Sequence, residues 1–321
     1  MHHIKQRKSA NYNSGYYQTI SIKTGRNNLN LHACPYCSEP LKLTAMLRIL
    51  MPIDFSDSSL NAMAYAVQMT KAFHATLVLM HIVEPIGGDA TMFVDDHIIT
   101  EEREDALKKL EKLKNELDDI NNPYIETLVC TGFPVDKILA TAKEQQVSLI
   151  VMGTTGTTNK FEDFLGSNTY KVVKNANCAV VTIPLESKKF DIRKIALAVD
   201  LHKKENIHLL TILRHFLRHF KAEIFFLHVT KNDHVSLESD AHSDAVLWLA
   251  EKFREFEHSF VNLSSKNVAN SINEYALKND IDMLALSPES HNIFGLMFKG
   301  STTRNLVLHS HVPVLTLPAD Y

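Results

Sequence analysis

Glycine is scarce in this chain, with ten residues among 321, and there is a single tryptophan. No apolar run is long enough to cross a bilayer. No apolar segment of the secretory kind follows the N-terminus, so a cytoplasmic location is expected. The chain also lacks a basic surplus. Its formal net charge is −3, and six basic side chains (Lys5, Arg7, Lys8, Lys23, Arg26 and Lys42) gather in residues 1–45 against the single acid Glu39, which leaves the remainder acidic. A nucleic-acid-binding core would need cations to neutralise phosphates, so neither nucleic acid nor membrane is an expected partner. One small nucleotide is not excluded, because backbone amides can hold it. Catalytic signatures are missing too: there is no Gly-x4-Gly-Lys-Ser/Thr loop, no Gly-x-Ser-x-Gly elbow and no His-Glu-x-x-His. No pair of carboxylates falls in a recognisable pocket, so hydrolysis has no visible general base and no catalytic residue is assigned.

What is present is a globular balance of 45% hydrophobic and 22% charged residues, which lets each half of the chain bury a core. Residues 1–45, rich in Asn, Ser, Tyr and Lys and without periodicity, read as a disordered or loosely attached extension. From Arg48 the pattern alternates. Apolar runs at 48–53, 76–83, 124–130, 148–152 and 179–183 read as strands, with helical patterns between them. Ser56 is placed to cap the first helix, whose stripe includes Leu60, Met63, Val67 and Phe73. Pro134 opens a later helix that turns Val135, Ile138 and Leu139 inward. Repeated β-α units without hairpin signals predict a parallel sheet covered by helices. A short polar linker spans 186–191, and strands return at 194–199, 223–229, 281–286 and 312–317.

The halves also match residue by residue. Asp54 and Asp200 are 146 residues apart, and His81-Ile82 and His228-Val229 are 147 apart. Gly166-Ser167 and Gly300-Ser301 are 134 apart, as are Pro184 and Pro318. Constant offsets within blocks are the trace of a duplicated domain. The organisation predicted is an extension over 1–45, a first domain over 46–186 and a second over 187–321.

In so glycine-poor a chain, the spacing Gly-x2-Gly-x9-Gly-Ser formed by Gly153, Gly156, Gly166 and Ser167 stands out. Gly153 follows the fourth strand, and Gly166-Ser167 opens a helix. Ligands of open parallel sheets sit beyond the carboxyl ends of the strands, at the switch point. Glycine there admits a ribose or phosphate against bare backbone, and a helix start turns free amides toward phosphate oxygens. The second half has Ser287 and Ser290 at the two loop positions, and keeps Gly300-Ser301. Its loop carries Ile293, Phe294, Leu296, Met297 and Phe298, which suit packing better than solvated phosphates, so tight ATP binding is not expected there.

Met51-Pro52-Ile53-Asp54-Phe55-Ser56, His81-Ile82-Val83-Glu84-Pro85, Met152-Gly153-Thr154-Thr155-Gly156 and Gly166-Ser167 together resemble the universal stress protein family, in two copies over 46–321. The resemblance implies an α/β fold of two tandem Rossmann-like (adenine nucleotide alpha hydrolase-like) domains, each a five-stranded parallel sheet flanked by helices. It implies ATP or AMP/ADP, with or without Mg, in the first domain. Pro52, Ile53 and Asp54 would line the adenosine pocket, and Ile82 would read the adenine edge through its backbone. Met152 and Gly153 would contact base and ribose, while Gly156, Gly166, Ser167 and Asn168 would hold phosphates. Family members often carry a histidine and a basic residue where this chain has Thr155 and Thr157. That weakens the case for a triphosphate unless Lys160 compensates. Position 168, often apolar in the family, is Asn168. The implied function is a stress-response regulator or adaptor with an unidentified protein partner, its two domains paired through their last strands and homodimerisation open. A slow ATPase and an interaction scaffold with a vestigial pocket are the alternatives.

Other constellations carry less. Cys34-Pro35-Tyr36-Cys37 is the tetrapeptide of glutaredoxin active sites, but no thioredoxin-type pattern surrounds it. With His32 it offers three zinc ligands where four are wanted. Asp95-Asp96-His97 reads as a solvated loop, and His215 with His219 as a polar helix face. No metal site is assigned. Cys130 and Cys178 fall in apolar runs and read as buried free thiols.

Overall fold

The computed structural model of the chain describes residues 4–8, 17–22, 47–85, 96–118, 124–154, 165–187, 190–199, 210–230, 240–286 and 300–318. Two short strands come first, β1 (Ile4–Lys8) and β2 (Tyr17–Ile22). The first half then runs β3 (Arg48–Pro52), α1 (Asp57–Phe73), β4 (Thr76–Val83), α2 (Asp96–Asp118), β5 (Ile125–Thr131), α3 (Pro134–Glu144), β6 (Leu149–Thr154), α4 (Leu165–Asn175) and β7 (Ala179–Pro184). The second half repeats the order: β8 (Lys194–Ala198), α5 (Leu210–Phe220), β9 (Glu223–Thr230), α6 (Asp240–Lys252), β10 (His258–Ser264), α7 (Val268–Lys278), β11 (Met283–Leu286), α8 (Gly300–His309) and β12 (Val314–Thr316).

The strands form one 12-stranded sheet. Within it the first half reads β5-β4-β3-β6-β7 and the second β10-β9-β8-β11-β12, each parallel throughout. Both have the doubly wound order, with the switch point between the first and fourth strands of the half. The two five-stranded units meet where β12 pairs antiparallel with β7, Leu315 opposite Val181. Each unit thereby covers the other's last strand, a row of backbone groups that would otherwise stand open.

Alternation along the strands builds two cores. Ile49, Met51, Leu77 and Leu79 face the layer of α1, α2, α5 and α6, whereas Leu50, Val78 and Met80 face that of α3, α4, α7 and α8. A central parallel strand is covered on both faces, which is why these runs are continuously apolar. Both cores continue across the β7–β12 seam. On one face the seam is reinforced by rings: Phe73 of α1 meets Phe216, His219 and Phe220 of α5, at 5.0, 5.5 and 5.8 Å between centroids. The linker is fastened to α1 as well. Asn61 Nδ2 donates to the carbonyls of Pro184 (3.1 Å) and Ser187 (3.0 Å), and Tyr65 Oη lies 2.7 Å from Ser187 Oγ.

The leader departs from its expected looseness over two segments. β1 and β2 form an antiparallel pair, and β2 adds antiparallel to β10. The Tyr-Gln-Thr-Ile-Ser-Ile run of β2 has strand-forming residues that its polar surroundings mask in the sequence. β10 itself and helix α7 were not among the elements predicted. The polar residues of His258-Ser259-Phe260-Val261-Asn262-Leu263-Ser264 hide the strand, yet His258 and Ser259 are buried because β10 lies between β9 and β2.

Phe216 is fully buried where the two halves meet. Phe216→Ala is expected to lower the stability of the chain by about 3–5 kcal/mol, read from denaturant unfolding.

Candidate functional site

The crevice follows from topology. β3 and β6 are neighbours, but the chain leaves β3 into α1 on one face and leaves β6 toward α4 on the other. Between their carboxyl ends lies a cleft lined by Pro52, Ile53, Asp54, Ile82, Met152, Gly153 and Asn168, and further by Ser56, Ser58, Ser59, His81, Glu84, Pro134, Ile138 and Thr169. Seven of the predicted residues are therefore brought together. Gly166 and Ser167 lie in the first turn of α4, immediately before Asn168. Gly156 lies outside the described residues, as do Thr155, Thr157 and Lys160.

The turn from β3 into α1 is set by Asp54. Its Oδ1 accepts from the Ser56 amide (3.0 Å) and from Ser56 Oγ (2.6 Å). Ser56 Oγ in turn caps α1 by accepting from the Ser59 amide at 3.3 Å. Desolvation at the cleft wall raises the Asp54 pKa, but hydrogen bonds from Ser56 and Ser59 lower it further, so the carboxyl stays below its ordinary value. It is ionised at neutral pH. Its share of stability is present above the ordinary carboxylate pKa and is lost as pH falls through the lower folded-state value.

Phe55, between these residues, has φ 63°, in the left-handed region. For a non-glycine residue that conformation costs about 1–3 kcal/mol and has to be held by its surroundings. The Phe55 ring lies on His81 with centroids 4.8 Å apart, and Lys109 Nζ of α2 stands 5.5 Å from it on the ring face.

Gly153 has a reason that its spacing did not disclose. A Cβ there would stand 2.4 Å from the Ser58 carbonyl oxygen and 3.1 Å from the Ser59 amide nitrogen. The glycine lets the first turn of α1 press onto β6, and so sets the width of the cleft. On the far wall Thr169 Oγ1 donates to the Gly153 carbonyl at 3.2 Å, which ties α4 to the same strand. The cleft thus has an apolar side (Ile82, Pro134, Ile138, Met152), a hydroxyl-rich side at the start of α1, and the start of α4 at its end. Its charged lining, among the described residues, is the pair Asp54 and Glu84.

Reading the sequence missed Ser56, Ser58, Ser59, His81, Glu84, Pro134, Ile138 and Thr169 as lining residues. Proximity to Asp54 and Asn168 along helix starts was the available signal for the hydroxyl side chains. His81 and Glu84 stood in a quoted motif but were given no role.

The remaining candidates lie elsewhere. Both His215 and His219 lie on α5, and His219 packs on Phe73 of α1 and on Phe220. Desolvation and Arg218 hold the His215 pKa down, and desolvation and His74 do the same to His219. His97 pairs with Glu101 at 3.4 Å. Among the described residues no group of His, Cys, Asp or Glu could hold a metal ion, and no helix is long and apolar enough to cross a membrane. Cys178 is buried, which pushes its thiol pKa up to about 12, whereas Cys130 is only half-buried. Cys34, Cys37, His32 and Asp95 lie outside the described residues.

A profile of the universal stress protein family matches residues 46–184 and again residues 191–318. The chain belongs to the universal stress protein family. Over 147 residues it is 33% identical to universal stress protein MJ0531 of Methanocaldococcus jannaschii, an alignment that covers 44% of this chain and 84% of the relative. Over 145 residues it is 33% identical to universal stress protein YxiE of Bacillus subtilis, covering 42% and 97%. A crystal structure of a universal stress protein from Archaeoglobus fulgidus superposes with TM-score 0.65 at 20% identity, covering 84% of this chain and 98% of that one. The tandem universal stress protein architecture is thus shared over both halves.

In this universal stress protein Gly153→Ala is expected to destabilise the first half by about 1–3 kcal/mol, because the new methyl group would meet backbone that cannot swing aside. The variant should show a lowered melting temperature in thermal denaturation. An unchanged melting temperature would contradict the close approach of α1 to β6.

Proposed function

We propose that this universal stress protein binds one adenine nucleotide in the cleft of its first half and uses the occupied and empty states to choose a protein partner in a cytoplasmic stress response. The observation that carries the reading is the convergence of Asp54, Ile82, Met152, Gly153 and Asn168 at the switch point between β3 and β6. The apolar side suits a purine face. An ionised carboxylate that accepts from hydroxyl groups, as Asp54 already does from Ser56, suits ribose hydroxyls. The start of α4 supplies amides and a helix dipole for phosphate.

Charge narrows the ligand. Asp54 and Glu84 both repel a multiply charged triphosphate. AMP or ADP is the better match, and ATP would enter with Mg to offset its charge. The start of α1 is already partly used, because Asp54 accepts from the Ser56 amide and Ser56 from the Ser59 amide.

Thermal denaturation of the full chain with ATP, ADP or AMP tests the reading. Ligand at a hundred times its Kd adds about 2.7 kcal/mol of stability, which raises the melting temperature by several degrees. No shift with any of the three at millimolar concentration would sink the nucleotide reading and favour a scaffold with a vestigial pocket.

A further inference from the structure

In both halves a histidine takes the same backbone carbonyl. The β3–β4 ladder includes the bond from Thr76 N–H to the Leu47 carbonyl (2.7 Å) and ends with Ile53 N–H to the Met80 carbonyl (2.8 Å). One further rung, at the same sequence offset as Thr76 to Leu47, would join Ile82 N–H to the Ile53 carbonyl. That carbonyl instead accepts from His81 Nδ1 at 2.7 Å. Peptide groups along a strand alternate between its two edges. Thr76 and Met80 use theirs toward β3, so the peptide edge of Ile82 also points to the β3 side. There β3 has already left the sheet, and Ile82 lines the cleft.

The second half repeats the device. Val199 N–H donates to the Leu227 carbonyl at 2.9 Å, and His228 Nδ1 lies 3.2 Å from the Val199 carbonyl. The imidazole of His81 is held by more than this bond, since it packs against the strained Phe55.

We infer that His81 is a positioning residue for base recognition. By drawing the Ile53 carbonyl toward its ring, it keeps that carbonyl from the Ile82 N–H, and the Ile82 peptide edge stays turned toward a base edge that presents an acceptor beside an amino donor. This rests on reading the cleft as an adenine nucleotide site. Adenine offers N1 to the Ile82 N–H and its 6-amino group to the Ile82 carbonyl. Hypoxanthine reverses both groups, with N1–H a donor and O6 an acceptor, and meets two mismatches. Without His81, Ile82 N–H can close the next rung on Ile53, and the edge that tells the two bases apart is lost.

His228 supplies the control, because it makes the matching contact away from the first-half cleft. The test measures AMP and IMP affinity of the full chain and of His81→Phe, His81→Asn and His228→Phe, with the melting temperature of each. The unsubstituted chain should prefer AMP over IMP by about tenfold or more. His81→Phe, which keeps an aromatic ring on Phe55 but cannot donate, should narrow that ratio to within about threefold. His81→Asn, which restores a donor, should recover it. His228→Phe should lower the melting temperature and leave the ratio unchanged. An undiminished ratio in His81→Phe, or an equal loss in His228→Phe, overturns the inference while leaving nucleotide binding intact. Equal binding of AMP and IMP by the unsubstituted chain overturns it as well, and binding of neither removes the nucleotide site too. If His81→Phe does not fold, amide exchange at Ile82 in the unsubstituted chain decides. AMP should slow it about tenfold and IMP should not, and no AMP-specific slowing overturns the role.

Discussion

The cleft depends on one departure: β3 stops pairing at Ile53 while β4 runs on to Val83, and the chain swings out of the sheet through Asp54 and Phe55 into α1. A left-handed phenylalanine and a carboxylate that ties down the next serine hold that exit in place. On the other side of the switch point, Gly153 must lack a side chain so that the first turn of α1 can lie on β6. Strand end, helix start and glycine therefore form a single mechanical unit. Ile82 and Met152 line the cleft because that unit clears the space between them.

Duplication explains why so much of the scaffold is repeated. Both halves have the same strand order and the same histidine-to-carbonyl contact after the first strand. They join into one sheet through β7 and β12, with aromatic rings of α1 and α5 packed across the seam. The same α1 that starts at the cleft holds the linker through Asn61 and Tyr65 one to two turns later. The cleft wall at the start of this helix and the contact between the halves thus fall on one element. In the amino-acid sequence, Ser287 and Ser290 of the second half stand at the positions of Gly153 and Gly156.

Much of this was legible in the amino-acid order. Continuous apolar runs marked the central strands because both faces of such strands are covered, and Ser56 and Pro134 marked helix starts through their capping chemistry. Asp54 and Gly153 could be placed at one edge because parallel topology sends all carboxyl ends to the same side, whereas Ile82 and Met152 were placed there only through the resemblance to the universal stress protein family. Three things were not legible. β10 escaped because its polar residues are buried only through pairing on both sides. The strands of the leader escaped because a six-residue run has meaning only beside a partner edge. The tightness at Gly153 and the role of His81 depend on atoms remote in sequence, Ser58 and Ile53, that no local pattern connects.

The central claim is an asymmetric one: a shared scaffold with a nucleotide site in the first half alone. Calorimetric titration of the full chain with AMP, and with ATP and Mg, measures it directly. The account predicts saturation at one nucleotide per chain. Two equivalent sites per chain, or no heat at any accessible concentration, would contradict it.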